Sequence, residues 1–148
     1  MQIEQRLEEL GLTLPELVGS PGNYVRSVQT GQLLFLSGTL SYDTVGKVGA
    51  DVSEEEAYAA ARDTALYAIA VMKHELGDLS KVKRFVKLLG FVNAAPDFTK
   101  QAVVMNGASD LFVEVFGEEI GAHARTAIGA ILPRGCAIEL DIVLEVEA

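Results

Sequence analysis

The stretch HARTAIGAILPRGCAIELDIVLEVEA, residues 123–148, decides the fold. Apolar and mostly acidic residues alternate from Ile138 to Val146, which predicts a half-buried strand with one acidic face. Thr126 to Leu132 is a candidate strand, and Leu132-Pro133 breaks the chain between the two. Arg125 stands out, because the chain from residue 101 onward carries eight acids and only two arginines. This arginine either pairs with an acid or binds an anionic ligand.

Two helices are predicted upstream of this stretch. Ser53 and Glu56 have the spacing of a capping box, so a helix should begin at Ser53 and run to about Leu76. The second helix is expected to open at Pro96-Asp97 and to stop at Gly117. Its predicted apolar face comprises Phe98, Ala102, Met105, Ser109, Phe112 and Phe116.

Asn106-Gly107 is an unusual pair inside this second helix. Each residue lowers helix propensity, by up to about 1 kcal/mol relative to alanine. A close packing contact or the edge of a pocket would each explain the pair, and the sequence leaves both explanations open.

The predicted order of helices and strands indicates the α/β (α+β) fold class. After a leading helix the order is β-β-α-β-α-β-β, which predicts a mixed sheet with two helices on one face. The other sheet face, which carries Glu139, is left for a partner, and in so small a chain this partner is often another copy. The other predicted elements are a helix at 3–10, strands near 24–28, at 33–36 and at 82–93, and loops at 11–22 and 39–52.

Composition narrows the class of protein. The 148 residues suit one domain, and the net charge of −9 argues against a nucleic-acid partner, because it repels a phosphate backbone. The single cysteine cannot form an intrachain disulfide, and the N-terminus lacks signal-peptide features, so we expect a reducing cytoplasm. No apolar run approaches the roughly 20 residues of a membrane span, so we expect a soluble protein without a membrane partner.

Four segments together are typical of a known family. They are Gly22-Asn23-Tyr24-Val25, Leu36-Ser37-Gly38, Ala124-Arg125-Thr126-Ala127, and Leu132-Pro133 followed by Ile138-Glu139. With these segments the chain resembles the RidA/YjgF family, also called endoribonuclease L-PSP. Residues 1–20 are then predicted as an N-terminal helix and linker extension, and residues 21–148 as the family domain. The runs Asn106–Leu111 and Gly121–Arg125 are similar to a longer branch than the short RidA deaminases.

This resemblance implies a chorismate-mutase-like fold assembled as a homotrimer with clefts between subunits. Family members with the arginine hydrolyse reactive 2-imino and 2-enamino acids to 2-keto acids and ammonia, without a cofactor. Arg125 matches the arginine that binds the substrate carboxylate, and Glu139 matches the acid near the attacking water. The further positions that match residues lining the family's pocket are Tyr24, Ser37, Gly38 and Asn106.

The chain also differs from the short members of that family. At two pocket positions it has Thr39 in place of glutamine and Ala127 in place of a frequent cysteine, and the spacing from Arg125 to Pro133 is one residue shorter. Two other functions therefore stay open. One is a non-catalytic trimer that binds small carboxylates or metabolites. The other is the endoribonuclease or translation initiation inhibitor of the older label, which the negative charge disfavours.

Other reactive residues give weaker signals. His123 lies two residues before Arg125, so on an extended chain both side chains should point the same way. The histidine is a base or a ligand contact in one interpretation, and a hydrogen-bonded or exposed side chain without a functional role in the other, which is favoured. His74 and His123 lack a clustered partner set, so no metal site is predicted. Cys136 is predicted as a small strand residue rather than a nucleophile, because only Arg134 lies near enough in sequence to stabilise a thiolate.

Overall fold

A mixed β-sheet forms one layer of the computed structural model, which describes residues 2–19 and 22–148. Its strands are β1 (Ser27–Thr30), β2 (Leu33–Leu36), β3 (Thr39–Leu40), β4 (Val82–Val92), β5 (Ala124–Gly129) and β6 (Ile138–Val146). They lie in the order β1, β2, β6, β4, β5, and β3 pairs with the start of β6. β4 and β5 pair in parallel, whereas the other neighbours are antiparallel. The predicted mixed sheet is confirmed.

Helices form the second layer. They are α1 (Ile3–Glu9), α2 (Glu54–Leu76), α3 (Gln101–Phe116) and the short α4 (Glu118–Gly121). α2 begins with the predicted capping box, in which the Ser53 hydroxyl accepts from the Glu56 N–H and the Glu56 carboxylate accepts from the Ser53 N–H, each at 3.1 Å. Alternate residues of β6 are at most 1% exposed on the face that the helices cover: Ile138, Leu140, Ile142, Leu144 and Val146. The predicted α+β arrangement is therefore confirmed.

α2 and α3 approach each other closely because both present small residues. Four alanines of α2 are completely buried, and one of them, Ala61, lies beside Gly107 of α3; they are Ala57, Ala61, Ala65 and Ala68. On α3, a side chain at Gly107 would overlap the backbone carbonyl oxygen of Tyr58 on α2. Close packing thus accounts for the glycine of the Asn106-Gly107 pair.

The start of α3 was predicted five residues too early. Pro96-Asp97 opens a turn rather than the helix, because the Phe98 N–H donates to the Ala95 carbonyl oxygen. The Gln101 side chain then donates to the Phe98 carbonyl oxygen at 2.9 Å, and the helix begins at Gln101.

The predicted apolar face of α3 is also wrong in part. Ala102 is exposed and Ser109 only half-buried, because this side of the helix lies over the open sheet edge at β5. The buried face instead includes Val104, Ala108, Leu111 and Val115.

The strand predicted near 24–28 is β1, which begins at Ser27 and ends at Thr30. Two further strand boundaries differ from the prediction. The strand expected at 126–132 is β5, which ends at Gly129, and the chain then leaves the sheet so that Ile131 is 90% exposed. Thr39–Leu40, predicted as loop, pairs with Leu140 and Glu139 as the short strand β3. Both deviations arise from backbone pairing, which side-chain periodicity does not report.

The N-terminal helix α1 packs into the same core as the rest of the chain. Ile3 and Leu7 are 3% and 4% exposed and belong to the main buried cluster. The predicted division between residues 20 and 21 lies outside the described residues, so it stays a prediction. Among the described residues, no helix is long and apolar enough to cross a membrane.

The sheet face opposite the helices is uncovered and partly apolar. Phe35 is 43% exposed on β2, and Ile128 is 43% exposed on β5 at the far edge. Val28 on β1, opposite Phe35, is 57% exposed. A sheet with apolar side chains spread across one open face is suited to burial against another protein surface.

Candidate functional site

Arg125 lies on the edge strand β5 and points toward α3. Its Nη1 donates to Asn106 Oδ1 at 2.8 Å and to Ser109 Oγ at 3.2 Å. Its Nη2 donates to the Ala102 carbonyl oxygen at 3.3 Å. These acceptors lie on one side of α3, because residues 102, 106 and 109 are separated by four and three positions. We call Arg125, Asn106, Ser109 and His123, with the Ala102 carbonyl, the arginine cluster.

The arginine cluster leaves part of the guanidinium free for a ligand. A guanidinium has five N–H groups, and the contacts of Arg125 with α3 use three of them. The Nε–H and one Nη2–H remain without a partner among the described residues. Two neighbouring N–H groups of this kind form the fork that binds a carboxylate with two parallel hydrogen bonds.

No carboxylate of the described residues pairs with Arg125. The positively charged partners in the ion pairs of the described residues are Arg6, Arg62, Lys73, His74 and Lys100. Of the two roles that the sequence left open, pairing with an acid is therefore absent from the described structure. The charge of Arg125 is met only by neutral oxygen atoms and solvent.

Ser109 and His123 extend the cluster beyond the predicted residues. Ser109 Oγ lies 2.9 Å from His123 Nε2, and His123 Nδ1 lies 2.6 Å from the Gly121 carbonyl oxygen. Burial lowers the pKa of His123, and the nearby Arg125 lowers it further, whereas the hydrogen bond to Gly121 opposes this shift. The imidazole is consequently neutral near pH 7.

Glu139 lies in a different pocket, which we call the acid pocket. It is lined by Tyr24, Ser37, Gly38, Leu40, Tyr42, Pro133, Arg134 and Glu139. Any side chain at Gly38 would overlap Glu139 Oε2, so the glycine permits the carboxylate to lie against the backbone. Burial raises the pKa of Glu139, and the charge of Asp141 raises it further.

The arginine cluster and the acid pocket lie on opposite faces of the sheet. Arg125 is in register with Leu88, and Leu88 is in register with Ile142, both buried beneath the helices. Glu139 is in register with Phe91 on the uncovered face, and its strand β6 lies two strands in from β5. Since side chains alternate between faces, Arg125 and Glu139 of one chain point apart.

The other predicted site residues divide between these two places. Asn106 lies in the arginine cluster, and Ala127 follows Arg125 on the same face of β5. Tyr24, Ser37 and Gly38 line the acid pocket, where the Ser37 hydroxyl donates to the Val25 carbonyl oxygen at 2.5 Å. Thr39 is in register with the buried Leu140 and is 4% exposed, so its side chain points away from the acid pocket.

Sequence reasoning did not assign Ser109 to the site and left His123 open. The four-three spacing of positions 102, 106 and 109 was visible, but Ser109 was placed on the apolar face of α3. The equal parity of His123 and Arg125 on an extended chain was the usable signal for the histidine. Among the described residues, no group of histidine, cysteine and acidic side chains is arranged to hold a metal ion.

The fold and the two clusters define a small α+β protein with a candidate anion-binding arginine. Residues 4–139 match the family described as "YjgF/chorismate_mutase-like, putative endoribonuclease". The chain belongs to this YjgF/RidA family, as the sequence segments predicted.

Three similar proteins extend over nearly the whole chain. Protein TCP17 of Trypanosoma cruzi is 46% identical over 150 residues, covering 97% of this chain and 94% of its own. The crystal structure of Atu1372 from Agrobacterium tumefaciens is 42% identical with a TM-score of 0.90, covering 99% and 94% of the two chains. A crystal structure from Shewanella oneidensis is 34% identical with a TM-score of 0.94, covering 99% and 100%.

More distant members share the fold alone. The YjgF gene product of E. coli is 24% identical with a TM-score of 0.57, covering 87% of this chain and 91% of its own. The E. coli protein TdcF, whose crystal structure contains bound serine, is 18% identical with a TM-score of 0.57, covering 88% and 92%.

Proposed function

We propose that the protein is a cofactor-free hydrolase of small 2-imino and 2-enamino acids, acting in clefts between the subunits of a homotrimer. The observation that carries this proposal is the half-buried Arg125, which no acid of the described residues neutralises and which keeps two N–H groups for a ligand. A planar fork that stays charged at every relevant pH suits a substrate carboxylate. The bound serine in TdcF is a small amino acid with such a carboxylate, and it supports the same ligand class here.

The chemistry needs a carboxylate anchor and one acid-base group. With the carboxylate on Arg125, the neighbouring iminium carbon is held for attack by water. Glu139 takes a proton from this water as the carbon–oxygen bond forms, and then returns it to the nitrogen as the carbon–nitrogen bond breaks. The remaining hydroxyl proton of the carbinolamine leaves as the carbonyl forms and is taken up by the departing ammonia. The sum of these steps is iminium plus water giving ketone plus ammonium. A carboxylate with a raised pKa is well matched to both proton transfers.

Two subunits supply this pair in the proposed assembly. Arg125 and Glu139 of one chain point to opposite faces, so the anchor of one subunit is proposed to work with the acid pocket of its neighbour. The uncovered sheet face, with Phe35 and Ile128 exposed, supplies apolar surface for such an assembly. We also propose that the protein acts in the cytoplasm.

The test is to generate 2-iminopropionate in the presence of the purified protein and to measure pyruvate and ammonia release above the spontaneous rate. Release that scales with protein concentration supports the hydrolase. Pyruvate binding that stabilises the protein, without acceleration for any imine tried, would instead indicate a carboxylate-binding protein. Cleavage of RNA that follows the protein through purification would support the endoribonuclease of the family description.

The pH dependence of turnover is expected to report on Glu139. Because burial raises its pKa, kcat/KM should fall as the pH drops through this raised value and Glu139 takes up a proton. Glu139→Gln should lower kcat/KM at neutral pH by about 100-fold, within the range for a general acid-base group, and should remove the acidic limb. An unchanged pH–rate profile in Glu139→Gln would contradict the assigned role.

The raised pKa of Glu139 affects stability in the opposite direction from activity: the ionised carboxylate that turnover requires destabilises the fold. A carboxyl group with a raised pKa binds its proton more tightly when folded, so its contribution to stability is present at low pH and is lost as the pH rises. Glu139→Gln should therefore unfold at a higher temperature than wild type at pH 7. This difference should shrink at pH 4, which separates the effect from a general change in packing.

Gly38→Ala is expected to separate activity from stability. The three heavy atoms nearest the added methyl group all belong to the Glu139 side chain, which can rotate away, so the free energy of unfolding should change by less than about 1 kcal/mol. The displaced carboxylate should lower kcat/KM at least about tenfold, because misplacement by about 1 Å can cost up to 100-fold. Thermal unfolding and the imine assay on the same preparation measure both quantities.

A further inference from the structure

The network around Arg125 continues through two side chains that the proposed reaction does not use. Arg125 Nη1 donates to Ser109 Oγ at 3.2 Å, and Ser109 Oγ lies 2.9 Å from His123 Nε2. His123 Nδ1 in turn lies 2.6 Å from the Gly121 carbonyl oxygen. These residues come from the two runs, Asn106–Leu111 and Gly121–Arg125, that marked the longer branch of the family.

The direction of each hydrogen bond follows from the Gly121 carbonyl. A carbonyl oxygen can only accept, so the proton of the neutral imidazole must be on His123 Nδ1. His123 Nε2 then carries a lone pair and accepts from the Ser109 hydroxyl. This leaves Ser109 Oγ with its lone pairs directed to Arg125, as an acceptor for Nη1. Each residue in the network therefore donates to the next, from Arg125 through Ser109 and His123 to the Gly121 carbonyl oxygen.

The surroundings hold the imidazole in this orientation. The His123 ring packs against a contacting pair of phenylalanines, with 6.0 Å between centroids and 81° to Phe112, and 6.3 Å and 47° to Phe85. Gly121 packs directly against the backbone of α3, because a Cβ atom there would lie 2.5 Å from the Phe112 carbonyl oxygen. Packing therefore determines the position of the carbonyl that selects the tautomer.

We propose that His123 and Ser109 are positioning residues that act through Arg125 and set its affinity for carboxylates. His123 orients the Ser109 hydroxyl, and Ser109, together with Asn106, takes both hydrogens of Nη1. The guanidinium is thereby held with Nε and Nη2 directed to the ligand. A fork that is already oriented loses less conformational entropy when it binds.

Ser109 is a positioning residue in this proposal rather than a nucleophile. Its Oγ contacts Nη1, whereas the N–H groups left for a carboxylate belong to Nε and Nη2. A bound carboxylate would therefore lie on another edge of the guanidinium from the hydroxyl. The inference rests on the proposed role of Arg125 as a carboxylate anchor, but it does not depend on turnover.

Pyruvate binding to the intact protein, followed by NMR titration, tests the proposal without requiring catalysis. Ser109→Ala and His123→Leu should each weaken pyruvate binding about three- to tenfold, the range expected for loss of one hydrogen bond. Ser109→Thr, which keeps the hydroxyl, and His123→Gln, which keeps an acceptor for it, should retain most of the affinity. Wild-type affinity in Ser109→Ala would overturn the proposal.

An Arg125→Lys background shows whether Ser109 acts through the arginine. A lysine has no planar fork to orient, so Ser109→Ala should change pyruvate affinity less than about 1.5-fold in that background. The same fold loss in both backgrounds would mean that Ser109 contacts the ligand directly or supports the fold, and would overturn the positioning role. Thermal unfolding of each variant, expected to match its parent closely, identifies any variant that fails to fold.

Nitrogen NMR of the histidine rings gives an independent readout. His123 should be neutral at pH 7 with its proton on Nδ1, and a proton on Nε2 would overturn the proposal. The outcomes also separate this inference from the proposed function. Pyruvate binding that depends on Arg125 and Ser109, with no imine turnover, would sustain the inference and refute the hydrolase. Turnover that needs Arg125 but does not change in the Ser109 and His123 variants would support the hydrolase and refute the inference.

Discussion

Arg125→Ala is expected to lower kcat/KM for 2-iminopropionate by about 100-fold or more. Arg125 is the charged anchor in the arginine cluster, and removing one partner of a hydrogen-bonded charge pair costs about 2–5 kcal/mol, of which about 2.7 kcal/mol corresponds to 100-fold. The loss should appear in kcat/KM rather than in folding, because Asn106 is exposed and can hydrogen-bond to water instead. Pyruvate release from freshly generated imine measures the effect.

Two controls make this result specific. Arg62→Ala removes the same charge from the exposed pair with Glu114 on the helical surface, and it should leave kcat/KM unchanged. Arg125→Lys keeps the charge but not the fork, so an intermediate loss of roughly tenfold is expected. Equal rates for wild type and Arg125→Ala would refute both the anchor and the hydrolase built on it.

Gly107→Ala is expected to give the largest loss of stability among single-methyl additions to α3. The new Cβ atom would overlap the Tyr58 carbonyl oxygen and lie 3.2 Å from the Ala61 Cβ, and backbone can yield only by moving α2 from α3. We expect a loss of about 3 kcal/mol in the free energy of unfolding, equivalent to a fall of roughly 6–12 °C in Tm. Chemical and thermal denaturation measure the two quantities.

Whether Gly107→Ala lowers or raises the free energy of unfolding shows whether close packing or helix propensity dominates at this position. Alanine favours a helix by about 1 kcal/mol over glycine, so Gly107→Ala would stabilise the protein if the space were open. Val103→Ala is the matched control, since Val103 lies on the same helix and is 43% exposed. It should be neutral or slightly stabilising. A stable Gly107→Ala protein would show that α2 and α3 do not meet at this point.

Most of the fold could be predicted because its main elements carry strong periodic signals. The alternation from Ile138 to Val146 and the capping box at Ser53 each identify an element without reference to the rest of the chain. β3 could not be found in this way, since two residues have no period. The start of α3 was misplaced because Pro96-Asp97 is a good helix opening that a local turn at Phe98 overrides.

The sequence names some of the residues of the two clusters as candidates, but it does not give their arrangement. The family segments contain Arg125, Asn106 and Glu139, and the structure brings the first two together at 2.8 Å. That Arg125 and Glu139 face opposite sides depends on how β5, β4 and β6 are registered, which no single strand reveals. Ser109 and His123 meet across 14 positions of chain, where the end of α4 at Gly121 packs against the backbone of α3 at Phe112.

The separation of Arg125 and Glu139 by the sheet has a consequence for how activity would respond to dilution. A correctly folded single subunit would hold half of each of two reaction centres and no complete one. Specific activity would then decrease as the protein is diluted, while the circular dichroism spectrum stayed the same. For the proposed hydrolase, the dissociation constant of the assembly, rather than the melting temperature of the subunit, would set the lower limit of concentration at which it works.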